Sequence, residues 1–494
     1  MLISGLALGA VLGFVMQRGR FCVTGFLRDI FTQRSWRGFV SLLIVISVHA
    51  IGLAALTSAG VITPEYNELA PLAVIVGGVI FGLGIVLAGG CASGTWYRSG
   101  EGLIGSWIAL VFYALSAAAM KTGFLGGLQN SLKERTVGLT SIHASLGISI
   151  WPLVIALSAV TAYFAVRFLR EEFSGPRPAT LAPRKSGLAH ILTEKAWHVY
   201  ATAAIVGVLG VIAWPLSAAT GRNDGLGITT PSSNLANYVV TGDTERFDWG
   251  VLLVLGILVG SFIAAKASGE FRLRVPDATQ GARSVVGGIF MGVGAAWAGG
   301  CTVGNGMVQT SLFSYQGWLA LASIAAGVAI AAKLWLKPSA PSLNDVPSTP
   351  STTNDTAVSA TAPVTSAATS PVSLPGSEGA GVAGTEASPL AGAFTVAPVA
   401  LLDRSVVKQE DGKLKPLGDG RYELDTVGAV CPFPLIEAKD AINKIEVGEE
   451  LVIPFDCTQA TDAIPRWAAK DGHEVTNFEQ TGEAGWTISV RRGK

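Results

Sequence analysis

Long apolar runs separated by short polar segments occupy the first 337 residues of the chain. An α-helix needs about 20 mostly apolar residues to cross a bilayer, and these runs approach that length. We interpret nine runs as membrane spans, several of them short, at 1–16, 38–60, 70–88, 103–120, 147–168, 199–219, 249–266, 284–298 and 316–335. The pattern predicts an α-helical polytopic membrane domain over residues 1–337.

The pattern changes after this domain. Residues 338–402 are rich in Pro, Ser, Thr and Ala and contain no Lys or Arg, a composition that cannot bury enough apolar surface to fold. We therefore predict a disordered tether over 338–420. Residues 421–494 regain alternating apolar and polar positions. They predict a small α/β two-layer sandwich in the order β-α-β-α-β-β, with two helices on one face of a four-stranded sheet.

Composition excludes several classes of protein. Charged residues make up 14% of the chain, below the roughly 25% of globular proteins. The 35 basic residues cancel the 35 acidic ones, so no excess of positive charge favours nucleic acid. The five cysteines are too sparse for a disulfide-rich secreted protein, and their spacing contains no Cys-x-x-Cys pair of the kind that binds zinc. We expect no metal and no cofactor.

The distribution of Lys and Arg predicts the orientation. With the N-terminus outside, the internal segments carry 18 basic residues and the external segments carry five. Segments rich in Lys and Arg stay in the cytoplasm. We therefore expect the N-terminus outside and the C-terminal domain in the cytoplasm.

An internal repeat relates the two halves of the membrane domain. Residues 77–94 read GGVIFGLGIVLAGGCASG and residues 287–304 read GGIFMGVGAAWAGGCTVG, with nine Gly, Ala or Cys positions in common at an offset of 210. The repeating unit contains four spans, and the fifth span lies between the two units, so the units enter the membrane in opposite orientations. This is the pattern of inverted-repeat transporters, which bind their substrate between the halves.

Two cysteines occupy equivalent positions in this repeat. Cys91 and Cys301 follow the glycine pairs that end in Gly90 and Gly300. A glycine pair breaks a helix, and non-helical backbone within a membrane is tolerated where it lines a cavity or is buried in protein. We predict that the two thiols face each other across the membrane midplane and line a pathway for a soft, sulfur-bearing substrate. The alternative is that the glycines serve helix packing and the cysteines are inert.

A third candidate cysteine and an arginine lie just after the first span, in the segment QRGRFCVTG. Cys22 adds a thiol to the predicted pathway, although the other half of the repeat has no cysteine there. Arg20, together with Arg18, either supplies positive potential for an anion or anchors the span at the membrane surface. Both interpretations stay open.

The C-terminal domain carries the other two cysteines. Cys431 lies at a predicted strand-to-helix junction, with Pro432 at a first helical position. The start of a helix stabilises a thiolate, as a nucleophilic or persulfide-carrying cysteine requires. A buried structural cysteine is the alternative. Cys457, at the end of the second predicted strand, either resolves a persulfide or plays a passive part.

Residues 421–494 resemble the TusA/SirA sulfur-carrier family. The motif Cys431-Pro432-Phe433-Pro434 and the segment DCTQATDAIPRWA carry the resemblance. It implies that Cys431 carries or transfers sulfane sulfur as a persulfide. Cys457 is not part of that motif.

Residues 1–337 resemble the YeeE/YedE family of membrane sulfur transporters. The segment GRFCVTG around Cys22 and the Gly-Gly-Cys turns at Cys91 and Cys301 carry this resemblance. It implies an inverted-repeat fold of nine spans plus short re-entrant helices. It also implies thiosulfate uptake by transient S–H contacts between the three thiols and the terminal sulfur of the anion.

These observations lead us to expect an importer of thiosulfate or a related sulfur anion in a bacterial inner membrane. Its tethered cytoplasmic domain would act as a sulfurtransferase and hand sulfur to a downstream acceptor. The sequence contains no GxxxxGK[ST] motif that would indicate ATP as the energy source. Three alternatives stay open: a membrane sulfurtransferase that relays sulfur through persulfides, an importer of another sulfur or selenium oxyanion, and a domain that regulates an anion channel.

Overall fold

The computed structural model of the protein describes residues 2–336 and 414–493. The first range is helical, and the second combines a mixed sheet with two helices. Residues 338–413, which make up most of the segment interpreted as a tether, lie outside the described residues.

Fifteen helices form the N-terminal range of described residues. They are α1 Ile3–Arg18, α2 Val23–Thr32, α3 Arg37–Ser58, α4 Pro71–Leu87, α5 Ala92–Gly100, α6 Ile104–Lys121, α7 Gly126–Lys133, α8 Ile142–Ser145, α9 Trp151–Ser174, α10 Gly187–Thr193, α11 Val199–Ala218, α12 Thr229–Thr241, α13 Trp249–Ser268, α14 Ala278–Ala298 and α15 Tyr315–Trp335. A 3₁₀ turn at Thr244–Arg246 and a π-helical turn at Gly304–Gln309 complete the set. Each predicted span coincides with one of the long helices α1, α3, α4, α6, α9, α11, α13, α14 and α15.

Eight helical segments among the described residues are long and apolar enough to cross a membrane. Two of them join a long helix to a short one, α1 to α2 and α4 to α5. The predicted span at 284–298 coincides with α14, which is not one of the eight because Arg283 and several glycines lower its mean hydropathy. Helix α14 nonetheless packs against both α4 and α6. The chain is a multi-pass membrane protein.

Glycines allow a close helix crossing between α4 and α14. A Cβ atom added at Gly77 would lie 2.7 Å from the Gly294 carbonyl oxygen, and one added at Gly84 would lie 2.8 Å from that of Gly287. Residue numbers rise along α4 as they fall along α14, so the two helices are antiparallel. Gly77 and Gly287 are equivalent in the repeat, as are Gly84 and Gly294, so the contacts are reciprocal. Small residues allow the two backbones to approach this closely.

The neighbouring helices repeat the same reciprocity. Helix α4 packs on α15 and α14 packs on α6, while α1 packs on α13 and α11 packs on α3. Gly78 faces Ala320 of α15, and its repeat equivalent Gly288 faces Ala109 of α6. Each half of the membrane domain therefore completes its packing with helices of the other half.

The C-terminal domain contains a five-stranded sheet in the order β1-β2-β3-β5-β4. Its strands are β1 Leu414–Gly418, β2 Arg421–Leu424, β3 Glu450–Phe455, β4 Glu474–Gly482 and β5 Gly485–Arg491, and its helices are α16 Phe433–Ile442 and α17 Ala460–Asp471. Strands β2 and β3 are parallel and the other neighbours antiparallel. The core includes Phe455 stacked on Trp486, with ring centroids 5.9 Å apart.

The predicted four strands and two helices are all present, but the sheet has one strand more. Strand β1 lies within the segment 338–420 that was interpreted as tether, so the folded domain begins before residue 421. The turn at Gly418-Asp419-Gly420, with φ values of 87°, 52° and 67°, folds β1 back on β2 as a hairpin. Pro416 is compatible with this position because β1 is an edge strand.

Candidate functional site

Both glycine pairs of the repeat break their helices. Helix α4 ends at Leu87 and α14 ends at Ala298. Gly89, two residues after the end of α4, adopts a left-handed conformation with φ of 70°. Gly299, directly after the end of α14, does the same with φ of 79°. Glycine adopts this conformation without the steric cost that a side chain imposes. The chain therefore turns at the same repeat position in both halves, just before Cys91 and before Cys301.

Cys22 and Cys91 meet at the starts of two short helices. Cys22 is the N-cap residue of α2 and Cys91 is the N-cap residue of α5, and both are buried. Their thiols lie close together, both beside Gly94. A Cβ atom added at Gly94 would lie 3.3 Å from the Cys91 Sγ and 3.6 Å from the Cys22 Sγ. The absence of a side chain at Gly94 lets the two sulfur atoms lie against its backbone.

Backbone and arginine groups make the surroundings of the two thiols electropositive. Cys22 and Cys91 lie at the N-termini of α2 and α5, where the first backbone N–H groups have no partner within the helix. Helix N-termini carry partial positive charge. Arg28 on α2 and Arg98 on α5 lie within electrostatic range of the Cys22 thiol. Together these groups form a site suited to an anion that carries a soft sulfur atom.

Cys301 lies in the same buried core, near Tyr113 of α6. Tyr113 is within electrostatic range of the thiols of both Cys91 and Cys301, and its hydroxyl donates to the Thr229 hydroxyl at 2.8 Å. Thr229 is the first residue of the short helix α12. The described structure thus brings the thiols of Cys22 and Cys91 close together, and Tyr113 lies near both this pair and Cys301.

The backbone carbonyl oxygens at the two Gly-Gly-Cys turns accept hydrogen bonds from different kinds of side chain. Arg98 donates to the Gly89 carbonyl oxygen. In the other half, the Asn305 side-chain amide donates to the carbonyl oxygens of Ala298 at 2.8 Å and Gly300 at 3.0 Å. Gly90 lies against Gly94 and Arg98. Buried backbone groups need such partners, and only the first half uses a charged one.

Arg20 lies away from the thiols, against the C-terminal domain. Its guanidinium pairs with Glu270 at 3.2 Å and donates to the hydroxyl of Thr461 in α17. Arg18 pairs with the other oxygen of Glu270 at 3.3 Å and is almost fully buried. The structure therefore puts both arginines in a buried ionic cluster that contacts the C-terminal domain.

A cavity of about 230 Å³ lies between the membrane domain and the C-terminal domain. Its lining includes Arg98, Glu101 and Arg274 from the membrane domain and Cys431 and Cys457 from the C-terminal domain. This volume far exceeds the about 10–15 Å³ that one water molecule requires. It accommodates a small anion together with water.

Glu101 is one of two acidic groups that line this cavity, the other being Asp456, and it lies in the turn between α5 and α6. Its side chain is buried, and burial raises the pKa of its carboxyl group from 4.5 to about 7, with the nearby negative charge of Glu270 acting in the same direction. Arg274 and Arg98 oppose this rise in pKa. The charge of the cavity therefore changes near neutral pH.

Cys431 approaches the Gly-Gly-Cys turn of the first half. Arg28 donates to the Cys431 carbonyl oxygen at 3.4 Å, and Val430 lies against Gly89. A smaller cavity of about 20 Å³ is lined by Thr24, Arg28, Gly89 and Cys431, among others. Cys431 thus borders two cavities on the side of the membrane domain that carries Arg28 and Arg98.

The predicted helix start at Cys431 is displaced by one residue. Helix α16 begins at Phe433, and Pro432 is its N-cap residue, joined to Cys431 by a cis peptide bond. Cys431 therefore precedes the helix N-terminus. Its sulfur is bonded to that of Cys457, and the two Cα atoms are 6.1 Å apart.

Further contacts hold the C-terminal domain on the membrane domain. Arg466 of α17 pairs with Glu172 of α9 at 2.8 Å, and Glu172 also pairs with Arg37 at 3.1 Å. The backbone N–H of Ala484 donates to the Gly269 carbonyl oxygen at 3.0 Å. These contacts come from α17 and from the hairpin between β4 and β5.

Two family models match the chain. Residues 18–330 match the model described as sulphur transport, which covers more than half of the chain. The chain belongs to the sulphur transport family. Residues 422–492 of this family member match the model described as sulfurtransferase TusA.

Relatives of the two parts are separate proteins. The thiosulfate transporter TsuA of Escherichia coli (strain K12) is 51% identical over 328 residues, which are 66% of this chain and 93% of the relative. TsuA of Spirochaeta thermophila is 32% identical over 337 residues, 65% of this chain and 94% of the relative. The putative sulfur carrier protein TsuB of Escherichia coli (strain K12) is 59% identical over 70 residues, 14% of this chain and 93% of the relative. This member of the sulphur transport family thus joins in one chain two parts that resemble separate proteins.

Sequence reasoning missed Arg28 and Arg98 as site residues. Both were counted only as basic residues that indicate orientation. Each lies about two helical turns after a candidate cysteine, on the short helix that the cysteine begins. A search for basic residues at that distance after Cys22 and Cys91 would have found them.

Proposed function

We propose that this chain imports thiosulfate across a bacterial inner membrane and delivers it to Cys431. The observation that carries the proposal is the close approach of the Cys22 and Cys91 thiols, beside Gly94 and at two helix N-termini. Cys431 borders the cavities on the same side of the membrane domain. Two relatives of the membrane domain are named thiosulfate transporters.

Recognition follows from the two ends of thiosulfate. The sulfonate end is anionic and suits the backbone N–H groups and the guanidinium groups of Arg28 and Arg98. The terminal sulfur is soft and polarizable, and it accepts weak hydrogen bonds from the thiols of Cys22 and Cys91. Sulfate has the same charge but lacks the soft terminal sulfur. The thiols are therefore the groups that would select thiosulfate.

The path runs from Cys301, past Tyr113, to the Cys22–Cys91 pair. The reciprocal antiparallel crossing of α4 and α14 supports two halves of opposite orientation. In such an arrangement the two helix breaks approach the membrane midplane from opposite sides. The anion then passes from one thiol to the next by S–H contacts, and no covalent bond is formed within the membrane domain.

The proposed orientation puts the N-terminus outside and the C-terminal domain in the cytoplasm. The distribution of basic residues supports it, since the residues that contact the C-terminal domain include Arg20, Arg28 and Arg37. All three belong to the segments assigned to the cytoplasm by their charge.

At Cys431 we propose a sulfur-transfer step. The Cys431 thiolate attacks the terminal sulfur of thiosulfate, and the S–S bond of the anion breaks. Sulfite leaves with the bonding electron pair, and the terminal sulfur remains on Cys431 as a persulfide. No net oxidation or reduction occurs, because sulfite takes the place of the thiolate as the free nucleophile. The match to the TusA model supports this role.

Consumption of thiosulfate at Cys431 would favour import. An inside-negative membrane potential of 100 mV opposes the entry of thiosulfate by about 2.3 kcal/mol for each of its two negative charges. Cleavage at the inner end of the path keeps the internal concentration of thiosulfate low. The C-terminal domain would therefore act as a sink close to the exit of the path.

The test uses the full chain in liposomes and thiosulfate labelled separately at its two sulfur atoms. In Cys431→Ala, which cannot cleave the anion, we expect both labels inside in equal amounts. In Cys91→Ala we expect uptake to fall at least about tenfold, a loss of about 1.4 kcal/mol. Ser145→Ala, at an exposed position in α8, serves as the control and should take up both labels normally.

The same measurement separates the covalent alternative. If only the terminal sulfur enters while the sulfonate sulfur stays outside, the membrane cysteines relay sulfur as persulfides and import of the intact anion is wrong. The close approach of the Cys22 and Cys91 thiols is the observation that keeps this second candidate in view. Normal uptake in Cys91→Ala would remove that thiol from either mechanism.

A further inference from the structure

A second cysteine lies against the proposed sulfur-accepting one. Cys457 follows β3, and its sulfur is bonded to that of Cys431, with 6.1 Å between the Cα atoms. Cys457 is 4% exposed, whereas Cys431 is only partly buried. Both residues line the cavity of about 230 Å³. The fold thus holds a buried thiol within bonding reach of the thiol that faces the cavity.

A permanent disulfide does not fit the position of this pair. The C-terminal domain has a core of its own, which includes Leu435, Ile453 and Trp486, and it does not need a crosslink to close a core. In the cytoplasm, disulfides are usually transient and belong to catalytic or redox-sensing sites. A bond that borders an anion cavity is therefore better explained as one state of a reaction cycle.

We propose that Cys457 is a resolving cysteine that converts the Cys431 persulfide into free sulfide. This rests on the proposed function, in which Cys431 takes the terminal sulfur of thiosulfate. The Cys457 thiolate attacks the Sγ of Cys431, a disulfide forms between the two cysteines, and the outer sulfur leaves as HS⁻. The two cysteine sulfurs are oxidised by two electrons in total, and the departing sulfur is reduced by two. One thiosulfate thus yields one sulfite and one sulfide for each disulfide formed.

The geometry favours attack on the inner sulfur of the persulfide. Cys457 already contacts the Cys431 Sγ, and the outer sulfur of a persulfide on Cys431 would extend into the cavity. Arg98 and Arg274 line that cavity, and their positive charge favours departure of HS⁻. The better leaving group in such an exchange is the more acidic one, and HS⁻ near guanidinium groups meets this condition.

The cycle requires a reductant, which we assign to the class of dithiol proteins that reduce disulfides. Cys431 is the more exposed partner, so an external thiolate reaches its sulfur first and leaves Cys457 as the departing thiol. Until that reduction takes place, the oxidised pair cannot accept another sulfur. The supply of reductant would then limit the consumption of thiosulfate.

The test uses the full chain in detergent, reduced and then freed of small thiols before thiosulfate is added. For the unaltered chain we expect sulfide and sulfite in equal amounts and a Cys431–Cys457 disulfide by peptide mapping. For Cys457→Ala and Cys457→Ser we expect sulfite and a persulfide on Cys431, with sulfide appearing only after a dithiol is added. Peptide mapping also separates this disulfide from any bond between Cys22 and Cys91.

Two controls keep the outcome interpretable. Val447→Ala, at a 64% exposed position in the same domain, should behave as the unaltered chain. Hydrogen exchange along strands β3 and β5 in the domain core shows whether each variant is folded, and Cys457→Ser preserves side-chain size if Cys457→Ala does not fold.

The outcomes distinguish the two proposals. Sulfide release from folded Cys457→Ser at the unaltered rate without added dithiol would overturn the resolving role and leave Cys431 as a sulfur carrier. A stable persulfide beside a free Cys457 thiol in the unaltered chain would do the same. If the unaltered chain produces no sulfite, the sulfur-transfer step at Cys431 is itself wrong.

Discussion

At the scale of single residues, the groups around each cysteine thiol determine the chemical role that the thiol can have. The thiols of Cys22 and Cys91 lie close together, each at the start of a helix. Both sulfur atoms lie against Gly94, beside the two helix N-termini. A soft anion can replace the contact between the thiols with contacts to its own terminal sulfur, at little cost because the exchanged interactions are similar.

A side chain at Gly94 should displace the thiols of Cys22 and Cys91 and block the proposed binding site. A Cβ atom added at Gly94 would lie 3.3 Å from one sulfur and 3.6 Å from the other. The single methyl group of alanine is therefore almost tolerated, whereas the two further methyl groups of valine collide with the thiols. We expect Gly94→Ala to transport weakly and Gly94→Val to lose at least about tenfold in uptake, or about 1.4 kcal/mol. Uptake of labelled thiosulfate into liposomes checks this. Gly281→Val, where an added Cβ meets nothing within 4 Å, is the matched control, and equal uptake in both valine variants would contradict the assignment.

Glu101 predicts a dependence of uptake on pH. Burial raises the pKa of this carboxyl group to about 7, so it is neutral below that pH and repels an anion in the cavity above it. Uptake should therefore fall as the internal pH rises through about 7, and Glu101→Gln should remove this fall. Glu65→Gln, at an exposed position, should retain it. A pH profile of Glu101→Gln that matches the unaltered chain would show that another group titrates.

The same shift has a consequence for stability. The pKa of Glu101 in the folded chain lies above its ordinary value of 4.5. Between these two values the unfolded chain has released a proton that the folded chain still holds. The contribution of Glu101 to stability is therefore retained at acidic pH and is lost as the pH rises towards about 7.

At the scale of helices, the glycines of α4 and α14 serve two purposes. Gly77 and Gly84 let the two helices cross at backbone contact, and Gly89 ends the straight run so that the chain turns into Cys91. The close crossing holds the two breaks in a fixed relation, since α14 ends in the equivalent turn at Gly299. The site thus depends on helix packing that lies several turns away from the thiols.

Bulk at this crossing should destabilise the membrane domain. A Cβ atom at Gly84 would lie 2.7 Å from the Met291 backbone nitrogen, closer than packed atoms approach. We expect Gly84→Val to cost about 1–3 kcal/mol, as is usual for overpacked positions. Thermal unfolding in detergent, monitored by size-exclusion chromatography, measures the loss. Gly281→Val on the same helix pair should unfold at the unaltered temperature; if the two variants behave alike, the crossing is looser than the contacts indicate.

At the scale of the whole molecule, the C-terminal domain packs on the side of the membrane domain that carries Arg28 and Arg98. Its loop at Val430 and Cys431 meets the turn at Gly89, while α17 is held by Glu172. The relatives that match its two parts are separate proteins. Fusion in one chain keeps the two parts at a high effective concentration, so a weak interface suffices to dock them.

Loss of the Arg466–Glu172 pair should loosen this docking. The pair is partly buried and joins the two domains at 2.8 Å, so we expect Arg466→Ala to cost about 1–2 kcal/mol, in the range of a charged hydrogen bond. Hydrogen exchange along α17 in the full chain should increase, and sulfite formation from imported thiosulfate should slow. Arg491→Ala removes an ion pair within the domain instead and should leave both unchanged. Unaltered exchange along α17 in Arg466→Ala would show that other contacts determine docking.

Much of the architecture could be predicted from local pattern. Apolar runs of nearly membrane length located the long helices, because the bilayer imposes that length on any helix that crosses it. The repeat marked the helix breaks before Cys91 and Cys301, because glycine adopts a left-handed conformation readily and is common where a helix ends. Alternation after residue 421 predicted strands β2 to β5, but the edge strand β1 was missed since its five residues carry a proline and no alternation.

The composition of the site was decided by packing. Cys22 and Cys91 are 69 residues apart in the sequence, and nothing local indicates that their helices begin side by side. The repeat paired Cys91 with Cys301, whereas the fold puts Cys91 close to Cys22 and leaves Cys301 beyond Tyr113. The pairing of Cys431 with Cys457 likewise depends on two strands lying next to each other. Sequence alone determined which residues could carry the chemistry, and the tertiary structure decided which of them meet, because contacts between distant segments follow from the packing of whole helices and strands.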